Sequence, residues 1–368
     1  MVSLRPYLSL LGRTWRHARR VSRELRHPVW RQALDLARLR AVGIGPDDYY
    51  MYDLCDPAQF PDPALKLTYR GRRYRDQFRH FSHVQIQGIA FHKHILYRLL
   101  QTFELPCPRI HALYAPVPDC FERHRALTDP GQLHRFLAET DTYPLFGKPS
   151  NASHGFGALG LRARDGDRIV LATGDSLPTT EVAGQIHATA LETGTYMLCE
   201  MLQPRDDFQR MCGSTLPSIR LVVLVRNGEP EPLRATILFP LDHTHVSNAR
   251  GLSTGVCSGS IDLVTGRVER VIDSPGPHRH PRPEHPQTGA RLEGYVLPEW
   301  DALLRMVLTA ARAFSPFRMQ HWDATFTTRG PALLELNFIG DVEPIQMNGP
   351  PGIYTEQFRS FERTHRLW

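Results

Sequence analysis

Residues 320–337 (QHWDATFTTRGPALLELN) combine the pattern of a β-hairpin with a carboxylate in apolar surroundings. Two apolar runs flank a Thr-Arg-Gly-Pro turn, and they predict antiparallel strands over 319–327 and 332–338. Glu335 lies between leucines in the second strand. Burying its charge is costly unless a cation or hydrogen bonds compensate. The hairpin therefore predicts either a cation site or a structural salt bridge, with Arg220 as the candidate partner.

The register of this hairpin brings three side-chain oxygens together. A turn centred near Arg329 or Gly330 places Asp323 opposite position 335 or 337. Glu335 and Asn337 share one face of their strand, because side chains alternate along a strand. Mg²⁺ binds through a few carboxylates together with substrate phosphates. Asp323, Glu335 and Asn337 are therefore the predicted metal ligands, and Mg²⁺ is the predicted ion.

The other patterns predict an α+β fold with two β-rich lobes and a cleft between them. Helical spacing of apolar residues predicts helices at 13–40, 92–104, from Asp129-Pro130 onward, 179–193 and 298–314. Strands are predicted at 143–148, 158–164, 168–173, 195–200, 219–225 and 233–239, with a hairpin over 260–272. We divide the chain into an N-terminal basic and helical segment (1–105), a small lobe (106–204) and a large lobe (205–368).

Positive charge is concentrated at the N-terminus. Residues 1–40 hold ten Arg against Glu24 and Asp35, a net +8, whereas the remaining chain has 34 Lys and Arg against 36 Asp and Glu, a net −2. This Arg-rich segment predicts either contact with an anionic surface, lipid or nucleic acid, or packing on its own domain or another subunit.

The chain has no pattern of a membrane-spanning or secreted protein. No run reaches ~18 apolar residues, and the N-terminus lacks the apolar stretch of a secretory signal. The six cysteines are scattered without a CxxC pair, which is typical of reduced thiols. We therefore expect a cytoplasmic protein with a large buried core and mostly buried cysteines, and cysteines that line a pocket are the less favoured alternative.

Lysine is scarce in this chain. Of 44 basic residues only Lys66, Lys93 and Lys148 are lysine. An ammonium is a compact point charge that a planar guanidinium does not replace at a phosphate. Lys93 and Lys148 are therefore candidate phosphate-binding residues, whereas we interpret Lys66 as a loop residue retained by chance.

A glycine-rich segment, FGKPSNASHGFGALG at 146–160, follows one predicted strand and precedes two others. Its Gly-x-Gly-x-x-Gly does not open a helix, so the segment is not a Rossmann turn, and the Walker pattern is also missing. The alternatives are an ordinary hairpin turn and a loop that folds over a nucleotide. In the second case, main-chain N–H groups with Ser150, Asn151 and Ser153 would face phosphate oxygens.

These motifs together resemble the ATP-grasp superfamily and, within it, the sugar-transfer-associated branch related to α-L-glutamate ligases. The resemblance covers about residues 90–350. It is carried by FGKPSNASHGFG (146–157), CEMLQ (199–203), SIRLVVLV (218–225), SNARGLSTGVCSGSIDLVTGRV (247–268), HPQTG (285–289), GYVLPEW (294–300), HWDATFTTRGPALLELN (321–337) and Gln346.

The resemblance implies a role for each matching residue. Lys93 and Lys148 match the lysines that reach phosphates, and Arg220 matches an arginine near the transferred phosphoryl group. The implied ATP-binding residues also include Ser150, Ser153, Gly155, Gly157, the adenine hinge Glu200-Met201-Leu202, and Asn248. His285 occupies another family position, for a substrate or phosphate contact. Asp323, Glu335 and Asn337 match the Mg²⁺ ligands.

The resemblance implies a carboxylate–amine ligase that forms an acyl phosphate from ATP and then an amide, with an amino acid or a sugar acid as candidate substrates. Lys148, Arg220 and His321 are the predicted catalytic residues, with His321 as a base or as an orienting residue. Asp341 and Glu343 are candidates to hold or deprotonate the ammonium group, and Asp341 in a structural turn is the alternative. Two other functions stay open, a small-molecule kinase and a binding protein with an inert site. His278 and His280 belong either to a metal site or to a solvated loop.

Overall fold

The structure is a computed structural model that describes residues 5–118, 120–153, 155–241, 256–273 and 280–367, with side chains from Gly12 onward. It contains two six-stranded sheets in which every neighbouring pair of strands is antiparallel. The first has the order β1-β6-β2-β3-β4-β5, and its strands are β1 (Ile110–Tyr114), β2 (Leu145–Pro149), β3 (Leu159–Asp165), β4 (Arg168–Leu171), β5 (Ser176–Pro178) and β6 (Tyr196–Glu200). The second has the order β10-β9-β8-β7-β11-β12, and its strands are β7 (Ser218–Arg226), β8 (Glu229–Pro240), β9 (Val256–Ile261), β10 (Val268–Ile272), β11 (Met319–Thr327) and β12 (Gly330–Asn337).

Helices precede, connect and follow the sheets, which confirms the predicted α+β class with helices at the N-terminus. The α-helices are α1 (Arg5–Glu24), α2 (Val29–Leu39), α3 (Pro46–Met51), α4 (Val84–Phe91), α5 (Lys93–Thr102), α6 (Pro130–Glu139), α7 (Thr179–Thr193), α8 (Asp206–Cys212), α9 (Trp300–Ala313), α10 (Glu343–Gln346) and α11 (Glu356–His365). Short 3₁₀ helices lie at Arg40–Val42, Pro63–Thr68, Arg72–Phe81 and Arg123–Arg125. In the described part of the chain, no helix is long and apolar enough to span a membrane.

The single helix predicted over 13–40 was wrong. The chain breaks between α1 and α2, where Arg26 has a φ of 51° and Pro28 precedes α2. A left-handed residue interrupts a right-handed helix, and proline lacks the N–H that would continue its hydrogen bonds. Two helices therefore replace the predicted one.

Helices pack on both sheets, and they cover both faces of the second, where Phe358 of α11 belongs to a cluster with Val222 of β7. On the first sheet, α6 and α7 contribute Leu137 and Ile186 to a core with Leu161. On the second sheet, Trp322 and Phe326 of β11 point into the core that α9 covers. Because side chains alternate along a strand, Asp323 and His321 of β11 lie on the opposite face. This alternation directs the predicted metal ligand toward the cleft side of the second sheet.

The N-terminal helices pack on the second sheet. Ala18 of α1 and Tyr69 belong to a core cluster that includes Ile272 of β10 and Met347. The Gln346 side chain accepts a hydrogen bond from the Arg70 N–H (3.0 Å) and donates one to the Arg70 carbonyl (2.9 Å). The part of the Arg-rich segment with described side chains therefore packs on its own chain, as one of the two interpretations predicted.

Lys66 has a structural role, so our interpretation of it as a loop residue retained by chance was wrong. It is buried in the 3₁₀ helix Pro63–Thr68, and its Nζ lies 2.5 Å from Asp35 Oδ2. The Tyr49 hydroxyl donates to the same carboxylate oxygen over 3.2 Å. The pair connects α2 to the segment that follows α3, a contact between distant residues that no local pattern indicates.

We expect Lys66→Met to lower the free energy of unfolding by about 3 kcal/mol, because it leaves the mostly buried Asp35 carboxylate with the Tyr49 hydroxyl but without its cation. Urea denaturation followed by circular dichroism measures the loss. Arg38→Gln, an exposed change on α2, is the control and should change stability by less than about 0.5 kcal/mol. Equal stability of Lys66→Met and the unmodified chain would contradict a stabilising role for the pair.

Candidate active site

The predicted carboxylate hairpin is present, with Asp323 directly opposite Glu335. On its other side, Asp323 lies opposite Arg220 of β7. The guanidinium donates from Nε to Oδ1 and from Nη2 to Oδ2 of Asp323, both over 2.8 Å. The salt bridge that we considered for Arg220 and Glu335 therefore joins Arg220 and Asp323 instead.

Glu335 pairs with Lys93, the first residue of α5. The Lys93 Nζ lies 3.1 Å from Glu335 Oε1 and donates to the Ala152 carbonyl over 2.5 Å. The Lys93 N–H also donates to the Ser150 carbonyl (2.9 Å). Lys93 therefore connects the glycine-rich loop to the hairpin, although more than 200 residues separate it from Glu335 in the sequence.

Burial governs the charges of the Arg220–Asp323 pair. Burial opposes the charge on Arg220, but the adjacent Asp323 carboxylate outweighs it, so the pKa of Arg220 lies above its ordinary value. Burial raises the pKa of the Asp323 carboxyl, and Arg220 acts in the opposite direction. The two opposite charges therefore stabilise each other in surroundings that water hardly reaches.

The donor set fits a magnesium ion. Two carboxylates and the Asn337 amide lie on paired strands, and Asn337 Nδ2 lies 3.4 Å from Asp323 Oδ2. Oxygen donors of this kind suit Mg²⁺ rather than a softer metal. Within the described ranges, no three His, Cys, Asp or Glu side chains group as metal ligands, so the predicted trio depends on its amide.

Lys148 lies on β2 and faces a buried tyrosine. Its Nζ donates to the Tyr97 hydroxyl over 3.0 Å and lies 5.1 Å from the centre of the Tyr97 ring. That hydroxyl in turn donates to the Leu334 carbonyl of β12 (3.0 Å). Tyr97 therefore links the phosphate-binding candidate on the first sheet to the carboxylate hairpin of the second.

The glycine-rich loop directs its two serines differently. Ser150 is fully buried, and its hydroxyl lies 2.5 Å from His94 Nδ1, so it does not face the cleft. Ser153 and Gly155 line the cleft. Gly155 and Gly157 have φ values of 71° and 65°, which favour glycine. A Cβ on Gly157 would also lie 2.5 Å from Thr189, so the conformation of the loop requires a residue without a side chain at this position.

The buried His94 makes stability sensitive to acid. Burial, and then the neighbouring His92, lower the pKa of His94 from 6.5 to about 4. The unfolded chain therefore binds this proton first, and the folded state loses stability as the pH falls from about 6.5 to 4. Between pH 7 and 5 we expect His94→Asn, which does not titrate, to lose about 2 kcal/mol less than the unmodified chain. Urea titrations at both pH values test this, and equal losses would contradict it.

The predicted adenine hinge follows β6. Met201 and Leu202 line the cleft with apolar surface, and Glu200 lies at its edge. The Met201 N–H donates to the Pro144 carbonyl (3.2 Å). The Glu200 carboxylate lies 2.6 Å from Arg329, in the turn of the carboxylate hairpin. Arg329 therefore holds the hinge close to the second sheet.

Two cavities meet at the carboxylate hairpin. The first, of about 160 Å³, runs from the hinge past Lys148, and the second, of about 340 Å³, extends beyond Arg220. Both are lined by Lys93, Ala152, Ser153, Asp323 and Glu335. The geometry therefore suits two ligands that meet at the carboxylates.

Three charged residues line the far end of the second cavity. Arg75 contacts Asp341 through Nη1, and Glu343 lies beside them. Burial, assisted by Asp341, raises the pKa of Glu343. Among the described residues, the buried Oε2 of Glu343 has no hydrogen-bond partner. This end of the cavity carries one positive and two negative side chains.

His321 shares a strand face with Asp323, as predicted, but lines neither cavity. Its ring lies under Gly340, where a Cβ would come within 2.1 Å of Nδ1, and its centre is 5.3 Å from that of Phe78. Burial, and then Arg220, lower the pKa of His321 to about 3. The position favours an orienting residue under the Gly340 loop over a base that contacts substrate.

The remaining candidates are Asn248, three histidines and the cysteines. Asn248 and His278 lie outside the described residues, so the structure describes no contact for either. His285 is buried, with Nε2 2.9 Å from the Pro240 carbonyl, and His280 is exposed. Cys55, Cys107, Cys199, Cys212 and Cys257 are free thiols, and Cys199 lines the first cavity, where burial raises the pKa of its thiol to about 11.

A comparison with family models decides the classification. The model for sugar-transfer associated ATP-grasp proteins matches residues 76–362. The chain belongs to this family. The match covers both sheets and every predicted site residue, and it confirms both the resemblance and the ATP-grasp fold. Arg75 lies immediately before the matched part.

Solved structures with a similar fold include ATP-grasp enzymes of low sequence identity. VanG D-Ala:D-Ser ligase from Enterococcus faecalis is 13% identical over 72% of this chain and 55% of its own, with a TM-score of 0.38. D-alanine–D-alanine ligase from Bacillus anthracis is 11% identical over 77% and 70%, with a TM-score of 0.40. The Hydrogenobacter thermophilus biotin carboxylase domain, solved with MgADP, is 12% identical over 71% and 42%, with a TM-score of 0.40. This ATP-grasp chain thus spans little more than half of the Enterococcus enzyme. A search of curated proteins found no match.

Three residues that the sequence analysis missed complete the site of this ATP-grasp protein. Tyr97 joins Lys148 to β12, Arg329 joins the hinge to the hairpin turn, and Arg75 lines the second cavity. Tyr97 lies four residues after Lys93, one helical turn away, and this spacing could have indicated it. Arg75 belongs to a segment rich in Arg, where no single position stands out.

Proposed function

We propose that this chain is an ATP- and Mg²⁺-dependent carboxylate–amine ligase that forms an amide through an acyl phosphate. One observation carries the proposal: a cleft lined by the hinge residues and both lysines and a second, charged cavity share Lys93, Asp323 and Glu335. Such an arrangement places a phosphoryl donor and an acceptor in contact, and this chemistry depends on positioning and charge more than on a protein nucleophile.

The first cavity supports the ATP half of the reaction. The apolar hinge residues Met201 and Leu202 would hold the base, and Lys148 and Lys93 would meet the phosphates. An oxygen of the substrate carboxylate attacks the γ-phosphorus, and the bond to the ADP oxygen breaks. Bound Mg²⁺ would neutralise charge that develops on the phosphate oxygens. Arg220 lines the acceptor side and would stabilise the acyl phosphate.

The second cavity supports the amide-forming half. The amine nitrogen attacks the acyl carbon, the bond to the phosphate oxygen breaks, and inorganic phosphate leaves. Asp341 and Glu343 would hold the incoming ammonium group. The raised pKa of Glu343 suits it to accept the proton that the nitrogen must lose. We assign His321 to positioning the Gly340 loop that covers it.

The alternative function is a kinase that transfers the phosphoryl group to a hydroxyl. The far end of the second cavity favours an ammonium over a neutral hydroxyl, because Arg75 offsets Asp341 and leaves Glu343 as a negative side chain that would balance the ammonium. We therefore place the ligase first.

Hydroxylamine trapping separates these functions. The full chain is incubated with Mg²⁺, ATP and a panel of amino acids and sugar acids, with ADP release and hydroxamate formation as readouts and mass spectrometry of the products. A ligase gives ADP and a hydroxamate with its carboxylate substrate. A stable phosphorylated product without hydroxamate would establish the kinase. If Mg²⁺ and ATP do not raise the melting temperature, the binding-protein alternative replaces both.

A further inference from the structure

The N-terminal helix pair carries a charge that the proposed reaction does not use. Residues 1–40 have a net charge of +8, and the remaining chain has a net charge of −2. Most of the described arginines of α1 and α2 are exposed: Arg13, Arg16, Arg19, Arg23, Arg31 and Arg38. Neither cavity of the active site includes a residue of these helices. The charge is therefore available at the surface.

The packing of the two helices fixes which face is outward. Ala18 of α1 and Leu39 of α2 are buried in the core cluster of the N-terminal segment. Gln32 is also buried, and its Nε2 donates to the Ala18 carbonyl (3.0 Å) and to the His27 carbonyl (2.7 Å). The opposite face of α2 therefore points away from the protein.

That outward face of α2 is apolar. Trp30 is 60% exposed and Leu34 is 50% exposed, and Ala33 and Ala37 beside them are also exposed. These four residues have i, i+3, i+4, i+7 spacing, so they form one stripe along the helix. Trp15 on α1 is exposed to 56% as well. Arg31 stacks over Trp30, with its Cζ 5.2 Å from the ring centre.

We propose that α1 and α2 bind this protein to the surface of an anionic lipid bilayer. Arginines near such a surface each contribute about 1 kcal/mol of attraction. Tryptophan prefers the interface between headgroups and acyl chains, and a leucine stripe gains by leaving water. The helices would lie in the plane of the interface without crossing it.

The combination of charge and apolar stripe favours lipid over the other partners. A nucleic acid would neutralise the arginines but would leave the Trp30–Leu34 stripe in water, since phosphate contacts use charge alone. A second copy of the chain would bring two segments of net charge +8 together. An anionic surface with an apolar layer beneath it satisfies both features.

Vesicle sedimentation of the full chain tests the proposal. We expect the protein to partition at least about tenfold more onto vesicles of equal phosphatidylcholine and phosphatidylglycerol than onto vesicles of pure phosphatidylcholine. Because 0.5 M NaCl shortens the screening length to about 4 Å, this salt concentration should release the protein. Trp30→Ser with Leu34→Ser should lower partitioning about tenfold by removing the stripe while keeping every charge. Val264→Ser, at a residue that is 84% exposed next to the Thr265-Gly266 turn, is the matched control and should bind like the unmodified chain.

Each other outcome overturns the proposal. Equal partitioning onto both vesicle types would show that charge does not contribute to binding. If the double variant binds as well as the unmodified chain and circular dichroism shows that it is folded, the apolar stripe has no role in binding. Binding to DNA but not to anionic vesicles would assign the arginines to nucleic acid. A concentration-dependent dimer without vesicle binding would assign the face to a second copy.

Discussion

Lys148→Met is expected to lower ATP turnover by about a hundredfold or more, because it removes the ammonium that would meet the phosphates. Lys148→Arg should not restore activity. The ammonium fits between the Tyr97 hydroxyl and the rings of Tyr97 and Phe146, and a planar guanidinium needs more room and a different set of acceptors. Steady-state ADP release and equilibrium ATP binding, measured on the same preparations, check both variants.

Lys66→Met provides the control for this experiment, because Lys66 is the third lysine of the chain and lies outside both cavities. It should keep its turnover per folded molecule despite its lower stability. If Lys148→Met kept more than about a tenth of the turnover, Lys148 would have no catalytic role, because removing a residue that stabilises the transition state lowers the rate by about a hundredfold or more.

Glu335→Gln is expected to lower turnover by about 10²–10³-fold and to raise the Mg²⁺ concentration needed for half-maximal rate. The amide keeps the shape of the side chain and one oxygen but removes the charge that balances Lys93 at 3.1 Å and that a divalent cation requires. ATP binding without metal should change much less. A Mg²⁺ titration of ADP release, with ATP binding measured in EDTA, separates the two effects.

Glu229→Gln is the matched control, an exposed carboxylate at the start of β8 that pairs with Arg312 over 2.7 Å. Surface ion pairs of this kind contribute little, so turnover and Mg²⁺ dependence should stay within about twofold of the unmodified chain. A Glu335→Gln variant with an unaltered Mg²⁺ dependence would falsify the assignment of Glu335 to the metal site.

Local pattern predicted the centre of the site because that centre is a hairpin. The alternation of apolar residues in 319–338 and the expected turn limited the partner of Asp323 to position 335 or 337, and the structure pairs it with Glu335 through a β-bulge between Asp323 and Ala324 that the pattern did not indicate. The scarcity of lysine was informative for a different reason, since it selected Lys93 and Lys148 by chemistry rather than by geometry. The structure brings both to the cleft.

Contacts between distant segments could not be predicted in this way. The pairing of Arg220 with Asp323, of Arg329 with Glu200 and of Lys66 with Asp35 depends on how sheets and helices pack. No periodicity in the sequence encodes such contacts. The predicted helix over 13–40 was wrong for a local reason, because its apolar spacing outweighed Pro28 in our interpretation.

The two hydrogen bonds between Gln346 and the main chain of Arg70 have a consequence for the second cavity. They fasten the end of the N-terminal segment to α10, and the 3₁₀ helix Arg72–Phe81, which carries Arg75, begins two residues later. A substitution that loosens Gln346 would therefore displace Arg75 through the main chain, without any direct contact between the two side chains.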